Sequence, residues 1–257
     1  MAKNKNKENE MLVKQLYENY PYPCRQNISE KKVKQYVQWV SSIFGKELSF
    51  WKGKSILELG CGTGELANGL ALCGARVHAI DFSSNSIKKA KEISKKLGTK
   101  VTFKQKNILE FKSKEKYDVV IALGSLHHTI NARKGFHNGA MTIKKNGFVI
   151  IGLYNKFARF RHRVKRFVIW LLCGKNIEKR IVFGKRLFGG IESKAWLADK
   201  YGQVHESYHS VKEIKKWFKE EGISFIASKP KSTIPFLGEI KWFFEKKGAF
   251  FVMVGKR

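Results

Sequence analysis

The sequence is short of acid, cysteine and proline, and it has no long apolar run. Asp and Glu number 21 against 51 Lys and Arg, a formal net charge of +30 at pH 7. The four cysteines, Cys24, Cys61, Cys73 and Cys173, show no C-x-x-C spacing and no metal-ligand register with a histidine. That argues against a disulfide framework or a cysteine-built metal centre, and fits a reducing compartment. Two of the four prolines fall in one stretch, Tyr20-Pro21-Tyr22-Pro23, which must be extended because each proline bars helix from its predecessor. The longest apolar run, Phe167 to Cys173, is far short of the roughly twenty residues of a membrane span. The first residues, MAKNKNKENE, are charged with no apolar segment behind them, so no secretory signal is expected and the sequence reads as cytoplasmic.

What is present begins with a core-forming composition: 43% apolar residues, with 19 Phe and 6 Trp. The most informative stretch is Lys54 to Leu66, KSILELGCGTGEL. An apolar strand meets a glycine turn, Gly60-Cys61-Gly62-Thr63-Gly64, and a helix-compatible run from Glu65 follows. Glycines there let a backbone approach a nucleotide, and helix-end N–H groups face it. A dinucleotide fingerprint needs G-x-G-x-x-G, whereas these glycines fall as G-x-G-x-G. Glu58, two residues before the turn, would repel a pyrophosphate and welcome an ammonium or sulfonium. A second strand, Arg76 to Ile80, ends at Asp81, where a carboxylate can take both ribose hydroxyls. A cationic, phosphate-free nucleoside is the inference: S-adenosyl-L-methionine (SAM).

With these residues the chain resembles the class I SAM-dependent methyltransferase superfamily over about Ile56 to Leu153. ILELGCGTGEL is similar to the first motif, Ala79-Ile80-Asp81-Phe82-Ser83 to the second-strand acid, Lys104 to Ile108 to the third-strand element, and Tyr117 to His128 to the fourth strand and its exit. The resemblance implies an α/β, Rossmann-like, seven-stranded, mostly parallel sheet whose last two strands pair antiparallel. It also implies a cofactor site of Glu58, Gly60, Cys61, Gly62, Gly64, Asp81, Phe82, Asn107, Ile108 and Leu123, with His127 or His128 beside SAM. Either histidine is a reasonable general base, since imidazole titrates near neutrality.

The pattern predicts strand 55–59, helix 65–73, strand 76–80, helix 84–97, strand 101–106, strand 117–122, helix 131–142 and strand 147–153. Gly98 and Gly147 are expected in turns after helices. Four segments follow: an N-terminal helical lid at 1–50, the SAM-binding core at 51–154, a helical insertion at 155–209 and the rest of the sheet at 210–257. Residues before Met11 are expected to be loose. Within the insertion, a helix over Lys156 to Cys173 has Phe157, Phe160, Val164, Phe167, Val168 and Leu171 on one face and Lys156, Arg159, Arg163 and Arg166 on another. Six of the ten arginines lie between Arg159 and Arg186.

An N/D-P-P-Y/F sequence after strand four is absent, which disfavours exocyclic base amines, and there is no Pro-Cys for attack on a pyrimidine. A small-molecule acceptor with an oxygen, nitrogen, sulfur or activated-carbon nucleophile is expected. Tyr17, Tyr20, Tyr22 and Arg25 in the lid, with Tyr154, Trp196, His205 and Tyr208, are the residues expected to wall its pocket. Two other partners stay open: RNA gripped by the 156–186 basic band, and a lipid-like substrate at a membrane surface. His205, Glu206 and His209 lack a distant fourth ligand, so no metal is expected.

Overall fold

The computed structural model describes residues 2–23, 27–189, 193–232 and 235–257; Arg25 lies outside them. Seven strands form one sheet: β1 (Ser55–Leu59), β2 (Arg76–Asp81), β3 (Val101–Gln105), β4 (Tyr117–Leu123), β5 (Ile143–Tyr154), β6 (Ser224–Lys229) and β7 (Phe250–Lys256). Their order is β3-β2-β1-β4-β5-β7-β6. Pairing is parallel from β3 to β5, and β7 runs antiparallel to both β5 and β6. The expected Rossmann-like fold class is borne out.

The pleat sends alternate residues to opposite layers. Leu57 and Leu59 of β1 join Val120, Phe136, Phe218 and Met253 on one face. Ile56 joins Val37, Leu66, Leu70, Ile121 and Val254 on the other. Helices α2 (Glu30–Ser42), α3 (Glu65–Leu72) and α4 (Ser84–Leu97) cover that second face, and α5 (Ala132–Ala140) and α9 (Val211–Glu220) the first. Helix α2 opens on a Ser29 cap, and Gly98, as expected, ends α4 in a left-handed conformation.

Three boundaries differ from expectation. Helix α1 runs from Ala2 to Asn19; residues 2–19 contain no Gly or Pro, so the docked part propagates helix through the polar segment at little cost. Strand β5 starts at Ile143, paired with Tyr117, and its register then jumps to Val119 with Phe148. Gly147 therefore sits in a strand irregularity rather than a post-helix turn, because buried Ile143 already enters the sheet. Helix α6 spans Phe160–Cys173: the Asn155 side chain accepts from the N–H groups of Phe157 and Ala158, both at 2.9 Å, and holds the preceding residues in a turn.

The insertion continues through α7 (Ile177–Phe188), α8 (Lys194–Leu197) and a wide π turn at Ala198–Gly202. It forms a third core with α1, in which Leu16 and Tyr20 pack with Ile169, Cys173, Ile181, Leu197 and Tyr201. Lid and insertion thus share one apolar cluster. Helix α10 (Pro235–Phe244) lies between β6 and β7.

Candidate functional site

The glycine turn sits at the carboxyl end of β1, with Gly60, Gly62 and Gly64 at φ of +76°, +52° and +73°. The N–H groups of Gly60 and Cys61 donate to the Ile80 carbonyl at 2.8 and 3.0 Å, tying the bend to β2. Asp81 faces the bend: its Oδ2 accepts from Gly62 N at 2.8 Å and its Oδ1 from Ser83 N at 2.9 Å. A Cβ on Gly62 would stand 2.2 Å from the Tyr22 carbonyl oxygen, and that oxygen accepts from Thr63 N at 3.1 Å. The lid backbone is therefore docked directly on the turn.

Beneath it lies a cavity lined by Glu58, Gly60, Cys61, Gly62, Asp81, Phe82, Asn107, Ile108, Leu123 and His128, with Tyr17 and Tyr22 above. Nine of the ten residues expected at the cofactor are brought together there. Gly64 is the exception: it caps α3, and a Cβ on it would meet Ala90 at 2.7 Å and Phe103 at 3.0 Å, so it serves helix packing. Glu10 and Lys14 also reach the cavity and had no motif to announce them. Asn107 donates to Glu10 at 2.6 Å. Glu18 accepts from Ser84 N at 2.8 Å and Asn85 N at 2.9 Å, so the lid caps the N-terminus of α4 as well as roofing the cavity.

Electrostatics make the cavity selective. Burial pushes the Glu58 carboxyl up to about 8, with Asp81 adding repulsion. Burial also raises Asp81, against the N–H groups of Ser83 and Gly62. Among the described residues Glu58 Oε2 has no hydrogen-bond partner. A buried carboxyl next to a second acid, eased only by the Ala67 backbone N–H, gains most from a cation with N–H donors. The α-ammonium and sulfonium of SAM match it, and a diphosphate does not. Glu58 would hold the amino acid end and Asp81 the ribose, beside the glycine cradle.

The two histidines separate. They sit on a single 3-10 turn, Leu126–His128. His127 is fully buried, with both ring nitrogens unpartnered among the described residues. Its ring lies 3.8 Å from that of Tyr154, and Arg159 covers the Tyr154 ring at 3.3 Å. Neither His127 nor Tyr154 lines the cavity; His127 is packed behind its wall. His128 does line it. Its Nε2 lies 3.7 Å from Asp199 Oδ1, and burial holds its pKa below the ordinary value although Asp199 pulls upward. The imidazole is therefore neutral at pH 7 and able to accept a proton.

Asp199 had no sequence signal. It also accepts from the Tyr17 hydroxyl at 2.7 Å, and Gln203 Nε2 donates to the same Tyr17 oxygen at 2.6 Å. Lid, insertion and core meet at this carboxylate. Behind it Glu206 pairs with Arg159 at 2.7 Å and Arg166 at 3.1 Å. Burial opposes its ionisation, but the two guanidinium groups hold it at about 2.

The remaining described residues expected at the pocket wall lie outside the cavity. The Tyr20 hydroxyl donates to Glu178 in the lid–insertion seam. Trp196 stands under Lys200, 4.0 Å from its ring centroid. His205 is bonded to the Thr129 carbonyl at 3.0 Å, and Tyr208 lies under Arg163 at 5.0 Å. His209 bonds Glu213 and Ser207 and so braces the start of α9. Among the described residues no group of three or more His, Cys, Asp or Glu is arranged to hold a metal. Of the six arginines in the basic band, Arg159, Arg166 and Arg180 turn inward; Arg180 is 2% exposed and donates to the carbonyls of Tyr201, Gly174 and Gln203.

Comparison with known proteins agrees with this geometry. The ubiquinone biosynthesis O-methyltransferase of Rickettsia canadensis (strain McKiel) is 38% identical over 104 residues, 40% of this chain and 44% of that protein. That of Rickettsia bellii (strain OSU 85-389) is 30% identical over 134 residues, 52% of this chain and 51% of that protein. The matched stretch thus spans about half the length of these relatives. Among solved structures, SAM-bound magnesium protoporphyrin IX methyltransferase from Synechocystis PCC 6803 aligns with a TM-score of 0.60 at 17% identity, covering 97% of each chain. The N-methyltransferase NodS from Bradyrhizobium japonicum WM9, with S-adenosyl-l-homocysteine, aligns at 0.55 and 14% identity, again covering 97% of each. At such identities these two similarities carry the fold alone. The family model described as a methyltransferase domain matches residues 51–222, from the start of the core through the insertion to the end of α9, and the chain belongs to that family.

Proposed function

We propose that this protein methylates a small molecule, a hydroxyl compound first among the acceptors, with SAM as methyl donor and His128 as proton acceptor. The observation that carries the reading is the pairing of an acid-lined nucleoside cavity with a neutral histidine in its wall. Bound SAM supplies an electrophilic methyl group on a sulfonium. His128 takes the acceptor's proton at the cavity wall. Asp199, facing Nε2, stabilises the imidazolium that results and keeps the ring oriented. Tyr17 holds Asp199 in place and is itself held by Gln203, and the lid over the cavity excludes water.

The name carried by the Rickettsia relatives supports oxygen as the nucleophile. The RNA alternative loses support because half of its arginine band turns inward onto protein partners. Methyl transfer to small hydroxyl compounds and to bulk RNA, measured side by side, tests the reading. Turnover confined to RNA, falling steeply with salt, would overturn it. His128→Ala should lower kcat by about 100-fold or more and leave SAM affinity within about threefold. Equal losses in both would reduce His128 to a cofactor contact.

A further inference from the structure

Helix α6 is mounted with its apolar stripe outward. Phe160, Val164, Phe167 and Leu171 recur at i, i+4, i+7 and i+11, one face of a helix, and are 53%, 47%, 58% and 62% exposed. The opposite face, with Arg166, Ile169 and Cys173, is buried. The inward guanidinium is held by the Gln203 carbonyl at 2.7 Å and by Glu206, so those contacts set the helix's rotation. Of the sixteen exposed large apolar side chains among the described residues, seven lie on α6, three on α7 and three on α10. Scattered apolar residues need no explanation, but a contiguous patch does. This patch is contiguous: Phe157 meets Phe236 at 5.6 Å and Phe160 meets Phe243 at 6.3 Å, which joins α6 to α10, where Leu237 and Phe244 are 59% and 71% exposed.

We propose that the outer faces of α6 and α10 dock on an anionic lipid bilayer. Charge identifies the occupant. Helix α6 contains no Asp or Glu, and the acid of α10, Glu239, is 1% exposed and bonded to Asn155 and Val211 N. What the two helices add to their apolar residues is therefore cationic: Arg161, Lys165 and Lys241, the last 3.7 Å from Glu245 just beyond α10, a single exposed acid against three cations. A second copy would set these same cations against each other on a chain of net charge +30, whereas anionic headgroups meet them with opposite sign. Neither helix is long and apolar enough to cross a membrane, so both lie in the plane of the interface, with aromatic and aliphatic side chains entering the acyl boundary. The docking needs no bound cofactor and stands apart from the methyl-transfer reading. It would, however, hold the insertion, and with it Asp199, at the bilayer surface.

The test is co-sedimentation of the full chain with phosphatidylglycerol-containing vesicles and with pure phosphatidylcholine vesicles. Wild type should bind the first and not the second. The variant Arg161→Gln/Lys165→Gln/Lys241→Gln should bind about 100-fold more weakly, at roughly fivefold per cation. Phe160→Ser/Phe167→Ser/Leu171→Ser keeps every charge and should still lose about tenfold or more; unchanged binding in that variant would mean attraction by the lysine coat alone and would overturn the proposal. Trp170, 52% exposed beside the stripe, gives a reading on the otherwise unaltered face. Its emission should shift to the blue on phosphatidylglycerol vesicles, a change absent in Trp170→Phe, and no shift would contradict the docking. A dimer that the serine variant abolishes, without vesicle binding, would assign the face to a second copy and likewise overturn it. SAM affinity by calorimetry, equal in wild type and both triple variants, separates failure of the docking from failure of the cofactor reading.

Discussion

Glu58 in the core and Glu206 in the insertion are buried carboxyls with opposite fates. Glu58 is 5% exposed, shares its cavity with Asp81 and is held near 8. The Glu206 side chain is 1% exposed, lies between Arg159 and Arg166 and is held near 2. Burial raises both, so the neighbours decide. An acid buried beside another acid is an open valence for a cationic ligand, whereas one buried between guanidinium groups is a fastening within the fold. The core carries the first kind at the tips of β1 and β2. The insertion carries the second and uses it to orient a helix and to bring Asp199 to His128.

Glu206→Gln should break the contrast most visibly. It leaves two largely buried guanidinium groups without their counter-charge, and the expected loss is about 3–5 kcal/mol of stability, read as a lowered midpoint in denaturant. A midpoint unchanged within error would show that the pair is not a fastening. Asp81→Ala should weaken SAM binding by about tenfold to 100-fold, since a charge-assisted contact to ribose and a brace on the glycine bend are lost together, with the chain still folded by circular dichroism. Unaltered affinity in calorimetry would remove Asp81 from the site.

Asp199→Asn is expected to cost about tenfold in kcat with little change in SAM affinity. Its pH profile carries the sharper signature. His128 must be neutral to act, so kcat falls as pH drops through its pKa, which lies below 6.5. Asp199 raises that pKa, so removing its charge should move the acid limb to lower pH. A limb that stays in place would separate Asp199 from the histidine.

These two regions also differ in how much of them the sequence reveals. In the core, Ile56 and Leu57 alternate to opposite layers, and Glu58 and Asp81 occupy strand tips set by local spacing. Local pattern suffices there because the sheet's own period places each side chain. In the insertion the polar and apolar stripes of α6 were legible, but which stripe faces inward was not. That is settled by Glu206 and the Gln203 carbonyl, about forty residues along the chain. Asp199 meets Tyr17 across 182 positions, and no periodicity encodes such a meeting. His127 and His128 are equivalent as sequence; the 3-10 turn sends one into packing against Tyr154 and the other into the cavity wall. Gly64 satisfies the glycine spacing yet serves packing against Ala90 and Phe103.

Proton exchange on SAM binding tests the electrostatic account of the cavity most directly. With the Glu58 carboxyl near 8 in the free protein, it is largely protonated at pH 7, and a bound cation lowers its pKa and releases the proton. Binding enthalpies measured at pH 7 in buffers of different ionisation heat should show net proton release, with affinity increasing toward pH 8, and Glu58→Gln should abolish both. Tight SAM binding with no net proton release, and with the same pH dependence in Glu58→Gln, would contradict the assignment of that carboxyl to the cationic end of the ligand.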